Sequence, residues 1–257
     1  MSLPQFASAV RDRMRLSGRR VTFALAGAAL AATTAAAGLA ATAHADPADH
    51  GGAQAVAARQ QAKRLMYGED VSNHQPDHDW QASPARFGII KATEGTGFRD
   101  PTFARHWQEL AKKGIVRGAY HFAHPANDPV AEAEHFLAMV NSQPAKAGDL
   151  LVLDLEVTDG KSPEEVNAWA KAWLAHVRAK TGIKPMIYSG WAFADANLKG
   201  LAEYPLWVAH YSEPKGAVTP PADWRSWAIH QYSETPIDQN VTSLTADQLR
   251  ALGRPGR

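Results

Sequence analysis

From about residue 66 onward, short apolar runs alternate with longer stretches whose apolar residues recur at helical spacing. Runs at 68–72, 88–94, 116–122, 150–157, 184–188, 205–211 and 227–232 predict strands, and 237–238 is a candidate eighth. Helices are predicted over 103–113, closed by Gly114, over 129–140, and from Ser162-Pro163 to about Lys180, closed by Gly182. Proline suits the first helical position and glycine the residue just past the last turn. Five β–α units are followed by strands with little helix between them, and 245–252 predicts a closing helix. The order implies an α/β fold: a single irregular, shortened β/α TIM-like barrel with a strand-rich C-terminal part. Its roughly 185 residues fall short of the about 250 that a regular barrel uses.

Residues 150–157, Leu-Leu-Val-Leu-Asp-Leu-Glu-Val, form an aliphatic strand that carries two acids. Side chains alternate along a strand, so Asp154 and Glu156 share a face with Val152, while Leu151, Leu153 and Leu155 face a second apolar layer. The two acidic Cα atoms should lie about 6.5–7 Å apart. Paired carboxylates on a core strand are costly, because burial and mutual repulsion both disfavour the charged forms. A surface strand or a structural ion pair would explain them blandly. A catalytic pair at the mouth of a barrel explains them better.

In β/α barrels chemistry sits at the C-terminal strand ends. Asp70, Glu94, Tyr120, Asp154, Glu156, Tyr188, Tyr211 and Asp238 all fall at or near such ends. Several acids with aromatics suit glycosidic bond cleavage. One carboxylic acid protonates the leaving oxygen, and a second group stabilises or attacks the anomeric carbon.

Composition narrows the reading. At 257 residues and 45% hydrophobic, the chain supports one sizeable domain, and a net charge of +1 argues against nucleic acid as a partner. Cysteine is absent, which excludes disulfides and Cys-ligated metals. Eleven histidines lack a tight ligand spacing apart from His121 with His124, so no metal and no cofactor is expected. Arg11, Arg13, Arg15, Arg19 and Arg20 precede an Ala-rich apolar run at 21–42, and Ala43-His44-Ala45 fits a cleavage site. Residues 1–45 are therefore expected to be a signal peptide cut after Ala45, giving a secreted protein without stable membrane association; a retained anchor is the alternative. Arg19-Arg20 with Phe23 loosely fits a twin-arginine signal. A flexible leader at 46–65 and a catalytic barrel at 66–250 would follow.

The motifs resemble glycoside hydrolase family 25, the lysozymes that cleave between N-acetylmuramic acid and N-acetylglucosamine. The match runs from about Tyr67 to Val241. It includes Asp70-Val71-Ser72 with Gln75, Asp79-Trp80, Lys91-Ala92-Thr93-Glu94-Gly95, Phe98-Arg99-Asp100-Pro101, Gly118-Ala119-Tyr120-His121-Phe122 and Asp154-Leu155-Glu156. It continues through Ile187-Tyr188-Ser189, Leu206-Trp207-Val208-Ala209-His210-Tyr211, Gln231-Tyr232-Ser233 and Asp238-Gln239-Asn240. The resemblance implies peptidoglycan glycan strands as the partner and a retaining 1,4-β-N-acetylmuramidase activity, with a monomer expected. Glu156 would be the general acid. Asp154 would assist an oxazolinium-like intermediate formed by the substrate's 2-acetamido group, or act as the direct nucleophile. Asp70 and Asp238 would line the pocket floor, and Glu94, Tyr120, Tyr188, Trp207, Tyr211 and Gln231 would contact sugar. The segment 233–237 is shorter than the glycine-containing loop the family usually has there, which lowers one wall of the groove.

Simpler roles are expected elsewhere. Glu94 suits a structural hydrogen-bonding role as well as a catalytic one, with Lys91 satisfying an acid. Asp77-His78-Asp79 reads as a polar turn, Trp169 and Trp173 as helix packing, and Asp149 and Asp159 as turn residues.

Overall fold

A computed structural model of the chain describes residues 65–255. The expected signal peptide (1–45) and the leader (46–65), apart from Leu65, lie outside the described residues. Among the described residues nine strands follow in order: β1 (Met66–Val71), β2 (Phe87–Glu94), β3 (Phe98–Arg99), β4 (Val116–Phe122), β5 (Leu150–Asp154), β6 (Met186–Gly190), β7 (Leu206–Ala209), β8 (Ile229–Ser233) and β9 (Asp238–Thr242). Eight of them close a barrel in the order β1-β2-β4-β5-β6-β7-β8-β9 and back to β1. Neighbours are parallel from β1 round to β8. The last strand, β9, runs antiparallel to both β8 and β1. The short link 234–237 dictates this, since a parallel return needs a crossover of a dozen or more residues. β3 lies outside the ring, paired antiparallel with the end of β2.

Alternation along the strands builds two apolar layers. Phe87, Ile89, Val116, Leu150, Val152, Met186, Trp207 and Ile229 fill the barrel interior. Ile90, Leu151, Leu153, Ile187 and Val208 face outward, under the helices. Gly68 is required by the interior packing: a Cβ there would stand 2.3 Å from the Phe87 ring.

The helices are α1 (Phe103–Lys113), α2 (Pro129–Asn141), α3 (Pro163–Thr181), α4 (Trp191–Asn197) and α5 (Ala246–Arg250). Gly114 ends α1 and Gly182 ends α3 in the left-handed conformation, at φ 76° and 77°. Asp128 caps the Pro129 start of α2, and Ser162 with Glu165 forms a capping box before Pro163. Each such cap is worth about 1 kcal/mol. Trp169 and Trp173 are buried along α3. α5 carries Leu249 into the interior cluster at the N-terminal ends of the strands. The chain just beyond it pairs with the approach to β5, Gly148 N donating to Arg254 O at 2.8 Å and Arg254 N to Asp149 O at 3.0 Å. Among the described residues no helix is long and apolar enough to cross a membrane.

Three local expectations change. The central strand ends at Asp154 instead of running to residue 157. Leu155 still holds β6, its N–H donating to Tyr188 O and its carbonyl accepting from Ser189 Oγ, and beyond it the chain leaves the sheet. β3 and α4, two and seven residues long, are too short to show a periodicity. Asp149 is a buried ion-pair partner as well as a turn residue. Arg117 donates to it through Nε at 2.7 Å and Nη2 at 3.0 Å, with the guanidinium 4.0 Å from the Trp107 ring centre.

Candidate active site

The strand tops converge on a ring of acids, amides and tyrosines. Asp154 ends β5 on the interior face below which Leu150 and Val152 pack, as alternation requires. It is 5% exposed, whereas Glu156, two residues on, is exposed. The two carboxyl groups are close enough for each charge to act on the other. Burial pushes the Asp154 carboxyl well above the usual range and the negative charge of Glu156 adds to it, with Lys91 pulling the other way. Among the described residues none donates a hydrogen bond to Asp154 Oδ1, although the atom is shielded from solvent.

Across the barrel, Asp70 on β1 lies beneath a polar network. Its Oδ2 accepts from Gln231 Nε2 at 2.9 Å and from Asn240 Nδ2 at 2.6 Å. Gln231 Oε1 accepts from the hydroxyls of Tyr188 and Tyr211, both at 2.7 Å. Asn240 Oδ1 accepts from Trp207 Nε1 at 2.8 Å. The amide orientations follow from this donor–acceptor logic. Burial is the main force raising the Asp70 carboxyl, and Asp238, its antiparallel partner on β9, raises it further; the two amide donors oppose them. Burial likewise raises the phenols of Tyr120, Tyr188 and Tyr211, so all three remain neutral donors.

The network sorts the expected sugar contacts. Tyr211 is 48% exposed and offers an open ring. Tyr120 and Asp238 are partly exposed in the mouth. Tyr188 and Gln231 are buried and hold the floor. Trp207, expected as a sugar contact, is 1% exposed and packs edge-on against Tyr188 at 4.5 Å. No ring face is left to a ligand, so Trp207 supports the floor instead.

On the other side, Glu94 closes the top of β2. Its Oε2 takes Lys91 Nζ at 2.6 Å, and its Oε1 takes His124 Nε2 at 3.2 Å. The His124 bond, with Lys91 beside it, holds the Glu94 carboxyl down at about 2. Lys91 Nζ also lies 5.2 Å from the Phe122 ring centre and 5.4 Å from that of Phe98. Backbone register places Asp154 opposite Phe122, Phe122 opposite Glu94, and Glu94 opposite Phe98, in one row across four strands.

Among known proteins, the family model described as glycosyl hydrolases family 25 matches residues 69–241. The chain belongs to glycosyl hydrolase family 25. The uncharacterized protein YegX of Escherichia coli (strain K12) is 36% identical over 217 residues, 77% of each chain. The N,O-diacetylmuramidase of Arthroderma benhamiae is 34% identical over 209 residues, 74% of this chain and 88% of its own. The family GH25 lysozyme from Aspergillus fumigatus superposes with a TM-score of 0.67 at 30% identity, covering 74% of this chain and 99% of that one. This family 25 chain is thus a glycoside hydrolase on the barrel that those relatives share.

The family 25 site holds two residues without a role in the sequence reading, Asn240 and His124, and a third, Lys91, that does more than expected. Asn240 shares a strand face with Asp238, so alternation could have flagged it. Lys91 was expected to serve an acid, and its lodging between two rings is additional. His124 stood out in the sequence only for its spacing from His121, and its actual partners, Glu94 and Asp159, come from other parts of the chain.

Proposed function

We propose that this family 25 glycoside hydrolase is a muramidase that cleaves the β-1,4 bond between N-acetylmuramic acid and N-acetylglucosamine in peptidoglycan, with retention. The observation that carries the reading is the asymmetry of the acid pair. Glu156 is exposed and can reach a glycosidic oxygen, whereas Asp154 is buried with a bare Oδ1. A buried acceptor without a donor costs about 1–3 kcal/mol, and a substrate N–H would relieve it. The 2-acetamido N–H of a bound sugar supplies that donor. It stabilises the ionised form of Asp154 and leaves the pair's proton on Glu156, the group that must deliver it.

Protonation of the leaving oxygen by Glu156 contributes about 10²–10⁴-fold. Asp154, oriented by its hydrogen bond to the acetamido group, steers that group's carbonyl oxygen onto the anomeric carbon as the glycosidic bond breaks. Water then opens the oxazolinium-like intermediate, with Glu156 taking back a proton. Asp70, held by Gln231 and Asn240, and Asp238 beside it line the floor beneath the reacting sugar and tune its field. Tyr211 and Tyr120 offer sugar contacts, with Tyr188 and Gln231 holding the floor. An intact-mass glycosyl adduct on Asp154 would instead mark it as the direct nucleophile.

Relatives named lysozyme and N,O-diacetylmuramidase support the substrate assignment. The basic and apolar N-terminal segment supports export with cleavage after Ala45, which N-terminal sequencing of the exported protein tests. A leader at 46–65 and a catalytic barrel at 66–250, acting as a monomer and without a metal, complete the assignment.

The deciding experiment digests purified peptidoglycan and identifies the new reducing ends by mass. Muramic acid ends are expected, Glu156→Gln should fold normally and lose nearly all turnover, and chelator should change nothing. Glucosamine ends, or near-normal lysis by Glu156→Gln, would overturn the assignment. A mildly acidic optimum is expected, and an optimum well above about pH 8 would contradict a carboxylic acid donor.

A further inference from the structure

His124 sits between two carboxylates that belong to different barrel loops. Its Nε2 meets Glu94 Oε1 at the end of β2 at 3.2 Å, and its Nδ1 meets Asp159 Oδ2 at 3.2 Å. Asp159 lies three residues after Glu156, in the loop joining β5 to α3. A carboxylate accepts hydrogen bonds but cannot donate them, so both contacts form together only when both ring nitrogens carry a proton. We propose that doubly protonated His124 is a positioning residue that clamps the Glu156 loop onto the barrel mouth; the consequence for turnover rests on the muramidase reading above.

The loop is built to need such a clamp. Its N-terminal side is fixed, with Leu155 tied to β6 through Tyr188 O and Ser189 Oγ. Its C-terminal side turns at Asp159, one of two non-glycine residues with positive φ among those described, at 49°. That conformation is costly for a residue with a Cβ and persists where surrounding contacts hold it. Here the contacts are His124 and the N–H of Ala126, which donates to Asp159 Oδ2 at 3.3 Å. Glu156 is thus held between a fixed point one residue before it and a strained turn three residues after it.

The clamp is itself anchored. Glu132 on α2 is wholly buried and its Oε2 accepts from the backbone N–H of His124 at 3.1 Å. The same oxygen meets His121 Nε2 at 2.7 Å, and His121 Nδ1 meets Thr93 Oγ1 at 2.8 Å. The His121 ring stacks on Trp173 of α3 at 5.7 Å. The charged or titratable groups around the His124 ring are Glu94 and Lys91 from β2, Asp159 from the β5–α3 loop, Glu132 from α2 and His121 from β4. Among the described residues the two ring-bonded carboxylates outnumber the nearby cation Lys91, which is already bound to Glu94. The Glu94 hydrogen bond, with Asp159 adding to it, accordingly holds the His124 imidazole above the usual histidine range.

Loss of the ring proton turns one nitrogen into an acceptor facing a carboxylate. The His124 hold on Asp159 then fails, leaving the 3.3 Å bond from the Ala126 N–H, and the second fixed point of the Glu156 loop is weakened. Activity at high pH is limited from two sides, by the proton on Glu156 and by the proton on His124.

The test combines spectroscopy of the whole protein with kinetics on purified peptidoglycan. Nitrogen-15 NMR of the His124 ring should show both nitrogens protonated at pH 6.5, near the midpoint of an ordinary histidine. A single protonated nitrogen at that pH would overturn the clamp. Amide hydrogen exchange at residues 156–160 should speed up as His124 loses its proton, and should be fast at every pH in His124→Gln. Unchanged protection in that variant would overturn it equally. In turnover, His124→Gln should lower kcat by about tenfold or more with KM within about twofold, as a misplaced acid demands. A raised KM with unchanged kcat would make His124 a sugar contact instead. Absence of hydrolysis by the wild type would sink the muramidase reading and leave the NMR and exchange results to decide the clamp alone.

Discussion

Asp70 on β1 accepts a hydrogen bond from Gln231 on β8 at 2.9 Å, across 161 residues of sequence. β9 lies between the two strands and adds Asn240 to the same carboxylate oxygen. Gln231 also receives the Tyr188 and Tyr211 hydroxyls, so one amide joins an acid on the floor to an aromatic at the rim. The antiparallel closing strand therefore does more than seal the barrel. It brings Asn240 and Asp238 to the acid that β1 presents.

Replacing Gln231 should cost both stability and rate. Gln231→Leu strands two phenolic hydroxyls and removes one of two donors to Asp70. Each unsatisfied buried group costs about 1–3 kcal/mol, and each kcal/mol lowers Tm by about 2–4 °C in a domain of this size. Calorimetry should show a clear drop in Tm, together with lowered kcat in the folded protein. An unchanged Tm would mean that the network contributes nothing to the fold.

Asp154 should be a site where function opposes stability. Its carboxyl is raised by burial and by Glu156, so the folded state binds the proton more tightly than the unfolded chain. The favourable contribution is fully present below the unfolded value of about 3.8 and is lost as pH rises through the folded one. Asp154→Asn removes the charge, so it should raise Tm at neutral pH, make little difference near pH 3, and abolish hydrolysis. Melting curves across that range decide the matter. A variant less stable than wild type at pH 7 would contradict the sign.

Glu94 should behave in the opposite sense. The His124 hydrogen bond and Lys91 hold its carboxyl at about 2, below the usual 4.5. Its contribution is present above the unfolded value and is lost as pH falls from about 4.5 to about 2. Glu94→Gln should be less stable at neutral pH and show a flatter acid limb. Parallel acid limbs in the two proteins would refute the assignment. The group is partly exposed, so added salt should shrink the difference.

Arg117 and Asp149 test the far end of the barrel. Arg117→Met leaves the Asp149 carboxylate buried without its bidentate partner, which costs about 3–5 kcal/mol. Denaturant unfolding should register that loss. The kcat of the folded fraction should stay at the wild-type value, because the pair lies at the strand starts and the site at the strand ends. A selective loss of kcat without loss of stability would contradict a purely structural pair.

The sequence by itself determined what depends on near neighbours. The strand and helix alternation, the helix caps at Ser162-Pro163 and Gly182, and the division of residues 150–154 between two apolar layers all follow from local periodicity and backbone preference. Asp154 was legible as an interior acid because a strand turns every second side chain the same way. The shortness of the 233–237 segment was legible too, and the 234–237 link within it is what makes β9 antiparallel. Tertiary structure alone decided the rest. Trp207 reads as a sugar platform until Tyr188 and Asn240 cover it. Asp149 and Asp159 read as turn residues until Arg117 and His124 reach them. The meeting of Asp70, Gln231 and Asn240 exists only once β1, β8 and β9 close the ring. These groups gain their roles from partners tens of residues or more away. Which of many polar side chains meet is settled by ring closure and loop packing, and periodicity along the chain carries no record of it.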